Sequence, residues 1–221
     1  MIRRTAVVFD LDGTLVDSAP DLAAATDHAL GRHGRAPVGL EGVRVMVGDG
    51  ARALLQRGFE ATGGMPDDAA FQQAFDDFMA WYGVHLADTS RAFPGVRETL
   101  TELKARGCTL AVCTNKSEAF SRTLLSKLGL QPFFAAIIGG DTLPTRKPDA
   151  GPLLGTLQRM AQPARRAVMI GDSTNDVQAA KNAGVPAIAV SFGYTRIPAR
   201  ELGANIVIDR FADLIPALQR L

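Results

Sequence analysis

Ala6-Val7-Val8-Phe9-Asp10-Leu11-Asp12-Gly13-Thr14 is the stretch on which the fold turns. Its four leading apolar residues, two of them β-branched, have the length of a parallel strand buried on both faces. Such a strand carries no carboxylate inside it. It can carry carboxylates at its end, where an open α/β sheet forms the crevice that takes ligands. An extended backbone continuing through Leu11 points Asp10 and Asp12 to one side. Gly13 then permits a sharp turn, and Thr14 adds a hydroxyl. Two carboxylates in one crevice repel each other. They coexist where a hard cation binds or where one holds a proton.

Outward from this strand the chain has two textures. Residues from about 18 to 90 read as helical. Ser18-Ala19-Pro20-Asp21 has the pattern of an N-cap with an acidic partner and a proline in the first turn, which gives Asp17 and Ser18 a structural explanation. Phe71, Phe75, Phe78 and Tyr82 form a helical apolar stripe, expected to be core. From Pro94 onward helices and strands alternate. Val96, Leu100 and Leu103 mark a helix stopped by Gly107, and Leu124, Leu125 and Leu128 mark one stopped by Gly129. Strands are expected at 108–113, 136–138, 167–170, 187–190 and 206–208, with a helix ending at Gly184. This alternation predicts a parallel sheet with right-handed crossovers and a helical insertion after the first strand.

The 221 residues make one large domain or a domain with an insertion, able to bury roughly 70% of the unfolded surface. A formal charge of +1, with acids and bases well mixed, argues against a nucleic-acid footprint or a polybasic membrane anchor. Cys108 and Cys113 fall in one predicted strand at odd separation, so they face opposite ways and suit a reducing compartment. The first residues run straight into a strand, with no signal peptide, and no apolar run reaches membrane-spanning length. A cytoplasmic location is expected.

Three further motifs sit at strand ends or in loops. Thr114-Asn115-Lys116 follows the second sheet strand, with N–H groups facing an anion if a helix begins there. Alone, a Thr-Asn turn is ordinary structure. Arg146-Lys147-Pro148 places a lysine in a loop that the proline stiffens, although loop lysines are usually just solvated. Gly171-Asp172-Ser173-Thr174-Asn175-Asp176 repeats the strand-end carboxylate; Asp176, in the first helical turn, can also compensate the helix dipole. Together these motifs put Asp10, Asp12, Thr114, Lys147, Asp172 and Asp176 on the carboxyl edge of one sheet. An all-oxygen donor set suits Mg²⁺. His28, His33 and His85 show no zinc-binding spacing. Beside a cation and a fixed ammonium, Asp10 can attack phosphorus, Asp12 can cycle a proton, and Thr114 and Lys147 can neutralise the phosphoryl oxygens.

The order and spacing of these motifs resemble the haloacid dehalogenase superfamily of phosphohydrolases, and within it the phosphoglycolate phosphatase branch. The resemblance covers essentially the whole chain, including Asp10 to Ser18 and Val47-Gly48-Asp49-Gly50-Ala51. It implies a Rossmann-like core, 1–16 and 92–221, with a mobile helical cap, 17–91. It implies that Asp10, the backbone carbonyl of Asp12 and Asp172 bind Mg²⁺, that Asp176 acts from behind them, and that Asn115 helps hold phosphate. One departure is Asp149-Ala150-Gly151-Pro152 after Lys147-Pro148, where relatives often carry histidine and a further proline. The implied reaction is hydrolysis of a small phosphorylated metabolite of carbohydrate metabolism, 2-phosphoglycolate foremost, by a monomer or homodimer. A carboxylate on that substrate would meet the turn at Gly50 and the guanidinium of Arg52; alternatively Arg52 is a solvated helix residue and Asp49 the helix cap. Two other readings are a phosphomutase of the same superfamily and a receiver-type phospho-accepting domain. The second is disfavoured by the D-x-D pair and the helical insertion, since a receiver needs no second acid and no lid.

Overall fold

In the computed structural model residues 5–221 are described; residues 1–4, the lead-in that the sequence reading joins to the first strand, lie outside them. Strand β1 (Ala6–Phe9) is wholly buried, and its alternation divides the interior. Val7 and Phe9 face one apolar cluster; Ala6 and Val8 face another across the sheet. The chain then forms β2 (Val16–Asp17) and four helices, α1 (Ala19–Arg32), α2 (Gly39–Arg44), α3 (Ala51–Ala61) and α4 (Asp68–Val84). It returns through β3 (Arg91–Ala92), antiparallel to β2, so that departure and return share one short ribbon. The remainder alternates as α5 (Val96–Ala105), β4 (Thr109–Cys113), α6 (Glu118–Lys127), β5 (Ala136–Ile138), α7 (Gly151–Arg159), β6 (Ala167–Gly171), α8 (Thr174–Asn182), β7 (Ala187–Val190), β8 (Ile206–Ile208) and α9 (Leu214–Leu218).

Six strands form a parallel sheet in the order β5-β4-β1-β6-β7-β8. From β1 the chain runs through β4 and β5 to one edge, then crosses back to β6 on the other side of β1 and runs on to β8. The carboxyl end of β1 is therefore the point where the strand order reverses. Phe9 stands opposite both Val112 and Ile170, and the Asp10 N–H still donates to the Ile170 carbonyl at 2.9 Å. Asp10, Cys113 and Gly171 are therefore level, with Thr114 and Asp172 one residue beyond. Cys108 and Cys113 lie in opposite clusters, as the odd spacing requires. One cluster runs without interruption from the sheet face, through Val96, Leu100 and Leu103 of α5, to Leu30 of α1, Phe59 of α3 and Phe78 of α4. Packing of the helical segment against the sheet thus draws on the same burial that stabilises the sheet. No helix among the described residues is long and apolar enough to cross a membrane.

The expected cap at Ser18 is not what forms. Ser18 precedes α1 but its hydroxyl makes no capping bond; it donates to Asp12 Oδ1 at 2.6 Å. Nor does Asp21 complete a capping box. Its carboxylate accepts from Thr89 N (2.9 Å), Ser90 N (2.8 Å), Ser90 Oγ (2.6 Å) and the Thr89 hydroxyl. Local capping lost to tertiary partners that the sequence pattern does not display. Burial raises the Asp21 carboxyl pKa, but these four donors outweigh it and hold it below the ordinary value.

Asp21→Asn replaces an acceptor oxygen with an NH₂ aimed at donors and is expected to cost about 2 kcal/mol. Because the folded pKa is depressed, the contribution of the carboxylate is complete above its unfolded pKa and is lost as pH falls through the folded one. The melting-temperature gap between parent and Asp21→Asn should therefore be full at neutral pH and narrow in acid. A gap independent of pH would rule out the charged clamp.

Candidate active site

Lys147 organises the edge. Its side chain is 2% exposed, and its ammonium lies 2.9 Å from Asp10 Oδ1, 2.6 Å from Asp176 Oδ1 and 2.7 Å from the Cys113 carbonyl. Burial alone would lower its pKa, but Asp10 and Asp176 hold it above the ordinary lysine value, so it stays charged. The other oxygen of Asp176 accepts from Ser173 N (3.0 Å), Ser173 Oγ (2.7 Å) and Asp172 N (3.2 Å), completing a capping box on α8. Asp172 accepts from the Thr14 hydroxyl at 2.8 Å and from Tyr194 N at 2.7 Å. Gly13 makes that approach possible. Its φ is +85°, and a Cβ there would lie 2.4 Å from Asp172 Oδ2.

One oxygen from each of Asp10, Asp172 and Asp176 falls within a 4.8 Å cluster, and all three residues are buried. Three carboxylates face one ammonium there. Burial first, then Asp176, pushes the Asp10 carboxyl up to about 6; the same causes push Asp172 up to about 8. Asp10 Oδ1 is buried, and its one near partner among the described residues is the Lys147 ammonium at 2.9 Å, which it shares with Asp176. Three buried carboxylates sharing one ammonium leave excess negative charge on oxygen donors, which a hard divalent cation would satisfy, so the donor set fits Mg²⁺.

A cavity of about 310 Å³ opens over this cluster, between the sheet edge and the helical segment. Asp10, Asp12, Thr114, Asn115 and Lys116 line it from the sheet side; Gly50, Arg52, Phe75 and Tyr82 line it from the other. The sequence-selected residues thus fall into two layers. Lys147, Asp172 and Asp176 lie beneath, while Asp10, Asp12 and Thr114 reach the space itself. Asn115 is committed to backbone. Its amide nitrogen donates to Gly48 O (2.9 Å) and Lys147 O (3.0 Å), and its oxygen accepts from Lys147 N (3.0 Å). It fixes the Lys147 loop and the turn before α3 at once.

Gly50, at φ +90°, starts α3. Asp49 does not cap that helix. It accepts from Asn175 at 2.6 Å and pairs with Arg57, and Arg196 lies 3.6 Å away, because these cations and this amide offer more than one helix N–H. Arg52 donates to Gln72 at 2.6 Å and lies 4.5 Å over the Phe75 ring. The aromatic stripe is accordingly two-sided: Phe71 and Phe78 are core, whereas Phe75 and Tyr82 also wall the cavity.

The family model for haloacid dehalogenase-like hydrolases matches residues 7–190. The chain belongs to that family. Among curated relatives, a protein from Agrobacterium fabrum named phosphoglycolate phosphatase is 46% identical over 96% of this chain and 91% of its own length. One of the same name from Caulobacter vibrioides is 47% identical over 96% and 90%. Among solved structures, a predicted phosphoglycolate phosphatase from Haemophilus somnus superposes with a TM-score of 0.93 at 32% identity, covering 97% of each chain. The α/β fold expected from the sequence is the haloacid dehalogenase fold. The enzyme class read from the motifs agrees with the names of these relatives, and the receiver reading falls.

Two residues at the site carry roles that their sequence patterns do not display: Lys116 stands in an ordinary polar turn, and Tyr82 is core, as the stripe predicts, but also walls the cavity. Lys116 is buried, 3.2 Å from Asp12 Oδ2, and donates to the Tyr82 hydroxyl at 2.5 Å. Its position directly after Thr114-Asn115 was the available signal.

Proposed function

We propose that this hydrolase is a Mg²⁺-dependent phosphatase that cleaves 2-phosphoglycolate through an aspartyl-phosphate on Asp10. The observation that carries this reading is Asp10 itself, at the strand-order reversal, 2.9 Å from the Lys147 ammonium and at the floor of a cavity that Asp12 also lines. Asp10, the Asp12 carbonyl and Asp172 would hold Mg²⁺, which when bound would offset negative charge on the phosphoryl oxygens. The Asp10 carboxylate attacks phosphorus, and the bond from phosphorus to the alcohol oxygen breaks as Asp12 gives that oxygen a proton. A water molecule then attacks the aspartyl-phosphate and loses its proton to Asp12, releasing phosphate and restoring both carboxyl groups. Thr114 faces the phosphoryl oxygens through both steps, Lys147 offsets their charge from beside Asp10, and Asp176 acts by holding Lys147.

In this reading residues 17–91 are a cap over the core formed by 1–16 and 92–221. The partner is a small metabolite of carbohydrate metabolism, not a nucleic acid or a membrane. The protein works in the cytoplasm as a monomer or homodimer. The test is phosphate release from a panel of phosphorylated metabolites with and without Mg²⁺. Preference for 2-phosphoglycolate and dependence on Mg²⁺ support the proposal; isomerisation of a sugar phosphate without net phosphate release would replace it with a phosphomutase.

The wall of α3 supplies the next expectation. Gly50 and Arg52 border the cavity where the substrate carboxylate would lie, and arginine grips a carboxylate with two donors. Arg52→Ala should raise KM for 2-phosphoglycolate about tenfold or more while leaving an aryl phosphate that bears no carboxylate nearly unaffected. Equal effects on both substrates would return Arg52 to its contacts with Gln72 and Phe75.

A further inference from the structure

We propose that Lys116 is a positioning residue that ties Asp12 to helix α4 through Tyr82, so that the acid–base carboxylate is held most firmly when the helical segment is seated. The proposal rests on the role given to Asp12 above.

The backbone of Lys116 is fixed independently of any ligand. Its N–H donates to Thr114 Oγ1 at 3.3 Å, and its carbonyl accepts from Gly140 N at 2.8 Å. The side chain runs inward, and its ammonium reaches both oxygens of Asp12, at 3.3 and 3.2 Å. It also donates to the Tyr82 hydroxyl at 2.5 Å and stands 4.7 Å from the centre of that ring. Tyr82 comes from α4, is 1% exposed, and is wedged against Phe78 and, edge-on, Phe120. A buried ammonium needs partners, since burial by itself would drive off its proton. Here Asp12 and Tyr82 are those partners and hold its pKa above that of an ordinary lysine. Ser18 grips Asp12 Oδ1 from the other side, at the entry to α1. Asp12 is thus clamped between the first residue of the helical segment and a lysine whose remaining side-chain partner belongs to its last long helix. Lifting α4 would remove Tyr82, admit water to the ammonium and weaken one arm of the clamp.

The consequence is specific to proton transfer. A phenol made acidic by nitro groups leaves phosphorus without help, whereas phenol itself gains from a well-placed acid. The experiment uses the full-length protein and a series of substituted phenyl phosphates, none bearing a carboxylate, so that binding of a substrate carboxylate does not enter. The readout is kcat/KM, which ends at the first irreversible step. Lys116→Met is expected to lower kcat/KM about 10²-fold for phenyl phosphate and only a few-fold for the nitrophenyl esters, steepening the dependence on leaving-group pKa. Tyr82→Phe, which removes one oxygen, should shift the slope the same way by a smaller amount. The double variant should be no worse than Lys116→Met alone, because the two act as a unit. A uniform fall across the series, an unchanged slope, or multiplicative losses in the double variant would overturn the proposal. Should Lys116→Met fail to fold, Tyr82→Phe alone decides by the same slope. Phosphate release by the parent, and its loss in Asp10→Asn, report separately on the proposed function, so the two failures are distinct.

Discussion

Asp10→Asn should fold as the parent does and release no phosphate. The substitution keeps the shape of the side chain and removes its nucleophilic oxygen. Removing a nucleophile that acts within a concerted site costs about 10³-fold or more, whatever the other residues still supply. Stability should move the other way. In the parent, burial and the neighbouring Asp176 raise the Asp10 carboxyl to about 6, so its ionisation at neutral pH costs the folded state stability. The neutral amide escapes that repulsion, leaving Lys147 paired with Asp176 at 2.6 Å. A melting temperature equal to or above that of the parent, measured after chelation of metal, together with loss of turnover, is the expected pair of results. Appreciable turnover in purified Asp10→Asn, shown not to come from a contaminating phosphatase, would refute covalent catalysis at this position.

The sequence reveals the strands of this fold better than its contacts, for a physical reason. Ala136–Ile138, Ala187–Val190 and Ile206–Ile208 occupy the expected residues, because a strand with helices on both faces must be apolar throughout and its ends are marked by turns. Strand-end carboxylates are legible for the same reason, since Asp10 and Asp172 interrupt apolar runs. Side-chain partners are not legible in this way. Ser18 reads as a cap and Asp49 as another because capping patterns are visible locally, whereas Ser18 meets Asp12 only across the turn after β1 and the Asp49 partners Asn175 and Arg196 are remote in sequence. Lys116 is the sharpest case. A lysine in a polar turn normally lies in water, and only the arrival of Tyr82 from α4 makes it a buried cation. Cavity walls built from two segments require the tertiary fold before either half acquires meaning.

Lys147→Ala should differ from Asp10→Asn in both activity and stability. The ammonium is the sole cation among three clustered carboxylates, with Asp10 at 2.9 Å and Asp176 at 2.6 Å among the described residues. Its removal deprives the phosphoryl oxygens of a preorganised charge partner, and kcat should fall about 10²-fold or more. It also strands buried carboxylates, for which breaking a buried ion pair costs about 3–5 kcal/mol. Asp10 and Asp172 already have folded-state pKa values raised to about 6 and about 8. Loss of Lys147, which lowers that of Asp10, can only raise it further. Groups with raised folded pKa values stabilise the fold below their unfolded pKa, and that stability is lost as pH climbs through the folded values. The melting temperature of chelator-treated Lys147→Ala should therefore drop between about pH 5 and pH 8 more steeply than that of the parent, and Mg²⁺ should recover part of the loss by supplying positive charge to the same oxygens. A variant with near-parental kcat and a parallel pH–stability curve would make Lys147 an ordinary lysine and leave the carboxylate cluster without its counter-charge.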